Sequence, residues 1–279
     1  KIYRLSDGVR VAQKSIVVNL NQSGFFHRGR YVSAQITGEI MQIRSQDLGS
    51  QRVFWQIQTQ KNASIFRPGP NELGIIEPAG RVFIISFDTG RTVFEANMPS
   101  LGGGIQGYIY SWWEGEQFFL ALPVIRSTSN QGNINYIRNF SHMYQLSPQV
   151  SITGALCCFN VPAGKLAWKK EMKNFIVYRH SGRDSPILIA SRRVRTKAPN
   201  QKKGQKLQMI NGFELKVIQR DTGRIIHQRK ESAMGYLYRV WDENGKVVLV
   251  SSKGTVRIKY RRVPRTPSKG KTDKTEKKP

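Results

Sequence analysis

Short segments in which apolar and polar residues alternate follow one another along most of the chain, and no long segment of helical period separates them. Side chains of a strand point to opposite faces in turn, so a period of two predicts half-buried β-strands. RVFWQIQTQ (52–60), GRVFIISF (80–87), RTVFEAN (91–97), QFFLALPVI (117–125) and VSITGALCCFNV (150–161) are the clearest cases. RYVSAQITGEIMQIR (30–44) reads as one long strand, and NINYIRNF (133–140) as another. The stretches near 45–51, 97–106 and 165–173 suit short connecting helices, too few and too small for the crossovers of a parallel α/β sheet. The fold class is therefore all-β, with antiparallel strands.

Charge divides the chain into two unlike halves. Residues 1–160 hold 14 Lys/Arg against 9 Asp/Glu, whereas residues 161–279 hold 31 against 9. The formal net charge of +27 thus lies mainly in the second half, in RRVRTKAPNQKKGQK (192–206) and from Lys259 onward. Runs of like charge repel themselves and favour a polyanion, whose counterions they release. Arg192, Arg193, Arg195, Lys202, Lys203, Arg261 and Arg262 are the residues we expect to hold RNA or another polyanion through backbone contacts.

Motifs that would support an enzyme are missing. FNVPAGKLAWKK (159–170) has the Gly-Lys of a phosphate-binding loop, but Leu166 stands where Ser or Thr should follow, and the earlier glycine is absent. His27, His142, His180 and His227 are far apart, with no zinc-ligand spacing. Cys157 and Cys158 are adjacent, so on a strand they face opposite sides and read as small buried hydrophobes. We expect no enzyme activity, no metal and no cofactor. No apolar run reaches the length of about 20 residues that spans a bilayer, so stable membrane insertion is not expected.

Aromatic residues Tyr108, Tyr110, Trp112, Phe118, Tyr236, Tyr238 and Trp241 lie on predicted strands, where they pack a core or stack on bases. The order of features over residues 102–162 is more specific. An aromatic strand, a Trp-x-Gly turn, an apolar strand, a polar loop, another strand, and then VSITGALCCFNVP ending at Val-Pro follow in series. This order resembles the middle of a picornavirus-like capsid jelly roll. The resemblance, over about residues 30–195, implies an antiparallel two-sheet jelly-roll-like sandwich. It implies a structural capsid protein that assembles with other jelly-roll subunits into an icosahedral shell around viral RNA. The location would then be the virion, assembled in host cytoplasm. A non-enzymatic RNA-binding component of a ribonucleoprotein, such as a ribosome, is the alternative. On this reading residues 1–29 form an N-terminal arm, 30–195 the sandwich core, 196–205 a basic linker, 206–263 a basic β-hairpin extension, and 264–279 a disordered tail.

Overall fold

The computed structural model describes residues 2–3, 10–12, 22–47, 50–101, 105, 108–123, 149–179, 185–197, 208–231, 237–243, 246–251 and 254–259. The expected strand at 133–140, residues 198–205 of the linker expected at 196–205, and the tail at 264–279 lie outside the described residues. All regular structure within them is strand, so no helix there is long and apolar enough to cross a membrane.

Two short strands, β1 (Ile2–Tyr3) and β2 (Arg10–Ala12), pair with each other. A four-stranded meander follows: β3 (Gln22–His27), β4 (Arg30–Thr37), β5 (Ile40–Gln46) and β6 (Val53–Gln60), each paired to its sequence neighbour. The second meander is β7 (Ser64–Phe66), β8 (Glu72–Ile76), β9 (Arg81–Ser86) and β10 (Thr92–Asn97). The third is β11 (Tyr110–Glu114), β12 (Gln117–Pro123), β13 (Gln149–Asn160) and β14 (Lys165–Tyr178). The far end of β14 then begins a fourth, with β15 (Ile187–Lys197), β16 (Gln208–Gln219) and β17 (Ile225–Glu231). Three strands close the series, β18 (Leu237–Glu243), β19 (Lys246–Ser251) and β20 (Gly254–Lys259). One parallel bridge, Asn97 opposite Lys165, joins β10 to β14, so the second to fourth meanders form a single 11-stranded sheet.

The all-β expectation holds, but this strand order corrects the jelly-roll sandwich. A Greek key places strands distant in sequence side by side, whereas here nearly every ladder joins consecutive strands. β15 and β16 pair from Ile187↔Gln219 to Lys197↔Gln208, so the segment after residue 206 continues the main sheet. The segment read as a helix at 165–173 is the first part of β14, with alternating exposure from Lys165 to Lys173. The strand read at 30–44 is two, turned at Gly38, whose φ of 61° suits glycine.

Successive meanders pack face to face, and adjacent residues of one strand serve different cores. Val32, Ile43 and Trp55 of the first meander meet Ile75, Phe83 and Ile85 of the second. Ile76, Ile84 and Phe94, on the second meander's other face, meet Phe118, Leu120, Cys157 and Phe159. Phe119, Leu156, Cys158 and Trp168 enclose the next core with Phe175, Leu188 and Ile218. Ile189, Leu215 and Val217 then pack on Val247 and Leu249. β12 and β13 are covered on both faces, which accounts for their unbroken apolar runs. Cys157 and Cys158 accordingly face different cores as free thiols, and burial pushes each up to about 12.

The same docking device holds two of these junctions. Asp88-Thr89-Gly90 turns β9 into β10, and Asp221-Thr222-Gly223 turns β16 into β17. Trp55 donates its indole N–H to Phe87 O at 2.7 Å, and Trp168 donates to Arg220 O at 2.6 Å. Each indole lies so close to its turn that a Cβ at Gly90 or Gly223 would sit 2.5 or 2.6 Å from ring carbon. Both glycines also have positive φ, 69° and 67°.

Candidate functional site

A cleft opens where two paired strands part. β14 and β15 are laddered from Tyr178↔Ile189 to Ile176↔Ser191 and no further, while β15 stays paired with β16 down to Lys197. Two backbone features sit at the fork. Asn174 takes a φ of 57°, and the β13–β14 register shifts between Ile152 and Gly154. Gly154 has a φ of 147°, and a Cβ there would lie 2.2 Å from Leu122 O. Thr153 Oγ1 hydrogen-bonds Asn174 Oδ1 at 2.8 Å across this bulge. Bulges bend a strand and re-aim its side chains.

The resulting wedge has a volume of about 700 Å³, lined by Ser151, Lys173, Asn174, Ile176, Arg192, Arg193 and Val194. Arg192 is held rigidly. Its Nε donates to Glu214 Oε2 at 2.6 Å, its Nη1 donates to Lys173 O at 3.4 Å, and its guanidinium lies 5.0 Å from the Phe175 ring centre. Lys216 Nζ sits 4.5 Å from the same ring centre and 3.7 Å from Glu214 Oε1, which also accepts from Gln228 Nε2 at 2.6 Å. Glu214 is 1% exposed, so the carboxylate touching this lining is withdrawn beneath the surface while Lys173 and Arg193 are exposed. Among the described lining residues three are cationic, Lys173, Arg192 and Arg193, and none is acidic, a balance that favours an anion.

A smaller pocket of about 230 Å³ adjoins it, lined by Tyr108, Tyr110, Ala121, Leu122, Pro123, Ser151, Ile152 and Thr153. Ser151 lines both spaces, and the Thr153–Asn174 bond links their walls.

Of the seven basic residues expected to bind a polyanion, the described residues bring together Arg192 and Arg193. Arg195 continues β15 beyond them, and Lys202, Lys203, Arg261 and Arg262 lie outside the described residues. Both line the wedge from successive positions of β15, and Glu214 engages Arg192. Sequence reading missed Lys173, which lies in the segment read as helix. Trp112 and Phe118 are core residues, while Tyr108 is 55% exposed and Tyr110 half-buried. Among the described residues no group of three or more His, Cys, Asp or Glu is placed to hold a metal.

No protein-family model matches the chain, and no curated protein matches it. Solved structures do. The β-propeller domain of Cps50 (Swd1) from Myceliophteria thermophila is similar at 12% identity and a TM-score of 0.28, over 88% of this chain and 97% of that one. BamB from Moraxella catarrhalis is similar at 12% identity and a TM-score of 0.28, over 84% and 83%. Hydrazine synthase from Kuenenia stuttgartiensis gives 12% and 0.29, over 80% of this chain and 52% of that one. The chain thus spans about half the length of the hydrazine synthase chain.

These findings correct the capsid reading together with its partners. The meander order lacks a jelly roll's Greek-key neighbours, and the similar structures named above include a β-propeller domain and no capsid subunit. Neither packing into an icosahedral shell nor enclosure of RNA is retained, and the ribonucleoprotein alternative falls with them.

Proposed function

We propose that the chain is a non-catalytic protein-binding module, built from propeller-type β meanders, that receives an acidic segment of a partner in the wedge between β14 and β15. The propeller-type assignment rests on four-stranded meanders stacked through successive cores, the arrangement of propeller blades. The observation that carries the binding role is the convergence of Lys173, Arg192 and Arg193 on one 700 Å³ wedge. Arg192 is fixed by Glu214 and Phe175 and so walls the wedge, while the exposed Lys173 and Arg193 meet the carboxylate. Among the described residues the lining of the wedge offers no carboxylate, imidazole or thiol, which favours binding over acid–base chemistry.

Fluorescence anisotropy with a labelled glutamate-rich peptide tests this. Binding should weaken as salt rises, and K173E/R193E should lower affinity by at least about tenfold. A glutamine version of the peptide should not bind. Equal binding by the wild type and by K173E/R193E would contradict the assignment. Both residues are exposed, so the thermal melt should be nearly unchanged.

A further inference from the structure

The small pocket beside the wedge has a chemistry of its own. Tyr108 and Tyr110 stand with ring centroids 6.5 Å apart, and Ala121, Leu122, Pro123 and Ile152 supply an apolar wall. A volume of about 230 Å³ takes a compact apolar side chain, not a helix, whose diameter with side chains is about 10 Å. Ser151 lies in both linings, so a chain in the wedge can continue into this pocket without leaving the surface of β13.

We propose that the two spaces form one bipartite groove for an extended segment of a partner protein, in which an acidic residue precedes or follows a proline by a few positions. The inference rests on the acidic-partner reading above and adds the proline subsite. Extended proline-containing segments lose little conformational freedom on docking and favour shelves lined by aromatic rings. Tyrosine suits such a shelf because it combines a broad apolar ring with a polar tip. The carboxylate contacts Lys173 and Arg193, with Arg192 fixed behind them, and the proline ring lies against Tyr108 and Pro123.

Three of the chain's own segments are poorly suited as occupants. Residues 124–148 and 198–207 contain no Asp or Glu, and residues 260–279 are strongly basic. Each would meet like charge in the wedge or bring none to pair with it. Charge complementarity therefore selects an acidic partner.

The test uses the full chain and four labelled peptides of equal length: glutamate-rich with two prolines, the same with glycine for proline, the first with glutamine for glutamate, and an arginine-rich control. A short single-stranded oligonucleotide is titrated in parallel. The proline–glutamate peptide should bind about tenfold tighter than its glycine counterpart. Y108A should remove that advantage while leaving glutamate-dependent binding in place, and Y108F should retain it. If proline and glycine peptides bind alike and Y108A changes neither, the proline subsite is wrong and the acidic-partner reading stands. If no glutamate-rich peptide binds, if K173E/R193E has no effect, or if the oligonucleotide binds more tightly than any peptide, both are wrong.

Discussion

The two tryptophan-docked junctions use the same turn and differ in what surrounds it. At the first, between β3–β6 and β7–β10, the neighbouring charges are on the surface. Arg28 Nη1 pairs with Asp88 Oδ2 at 3.0 Å with side chains 59% and 42% exposed, and Arg30 Nη1 donates to Asp88 O at 2.7 Å. At the second, between β11–β14 and β15–β17, the pair is interior. Arg220 Nη2 stands 2.7 Å from Glu114 Oε2, with side chains 5% and 9% exposed. Trp112 Nε1 donates to Glu114 Oε1 at 3.1 Å, and Gln117 Nε2 to Asp221 Oδ1 at 2.8 Å. One geometry is thus set once in high dielectric and once in low. Charge removal should be nearly silent at the first and severe at the second.

Arg220→Ala should have the largest effect, about 3–5 kcal/mol, because it leaves Glu114 buried without its partner. The double variant E114L/R220M should recover most of that loss, and thermal or denaturant melts of both decide it. Gly90→Ala and Gly223→Ala come next, at roughly 1–3 kcal/mol each, since both combine positive φ with an indole in contact. Equal losses would show that the docked turn is the same device in both places. Arg28→Ala should cost less than about 1 kcal/mol, because its pair is exposed and screened.

Acid should separate the junctions by sign. Burial first, and then Arg67, hold the His27 imidazole below its ordinary value of 6.5, with Asp88 opposing and Arg28 and Arg30 adding to the effect. A folded state that resists the proton loses stability as pH falls below about 6.5, where the unfolded chain takes the proton up. Glu114 behaves in the opposite way. Burial raises its carboxyl above 4.5 despite Arg220 and Arg179, so its contribution is present below the unfolded value and lost as pH rises through the folded one. Melts across mildly acidic pH should show a decline that H27Q flattens, whereas E114Q should remove a gain at lower pH.

The sequence conveyed the strands better than their connections. Apolar alternation located β6, β9, β10, β12 and β13 within a residue or two, because each buries alternate side chains or lies between two cores. It fused β4 and β5, since the two-residue turn at Gly38–Glu39 leaves the period of two unbroken. It mistook the start of β14 for helix, because Trp168 and Met172 are buried four positions apart and lysines lie between them. The repeat that could have revealed the meanders was present. A turn ending in Gly-Arg or Gly-Lys recurs as PAGR at 78–81, DTGR at 88–91, PAGK at 162–165, DTGR at 221–224 and ENGK at 243–246. Residues 124–148, inserted between β12 and β13, spoil its spacing. The wedge was half legible. Arg192 and Arg193 stood out by charge, but Lys173 joins them only through the fork of β14 and β15, and Glu214 is a lone carboxylate until pairing brings it opposite Arg192.

Amide hydrogen exchange of the full chain, with and without the proline–glutamate peptide, tests the central claim most directly. The account predicts protection on peptide binding at residues 151–153, 173–176 and 192–194, with the docked turns at 88–90 and 221–223 unchanged. Protection centred elsewhere, for instance on β20, or none at saturating peptide, would contradict it.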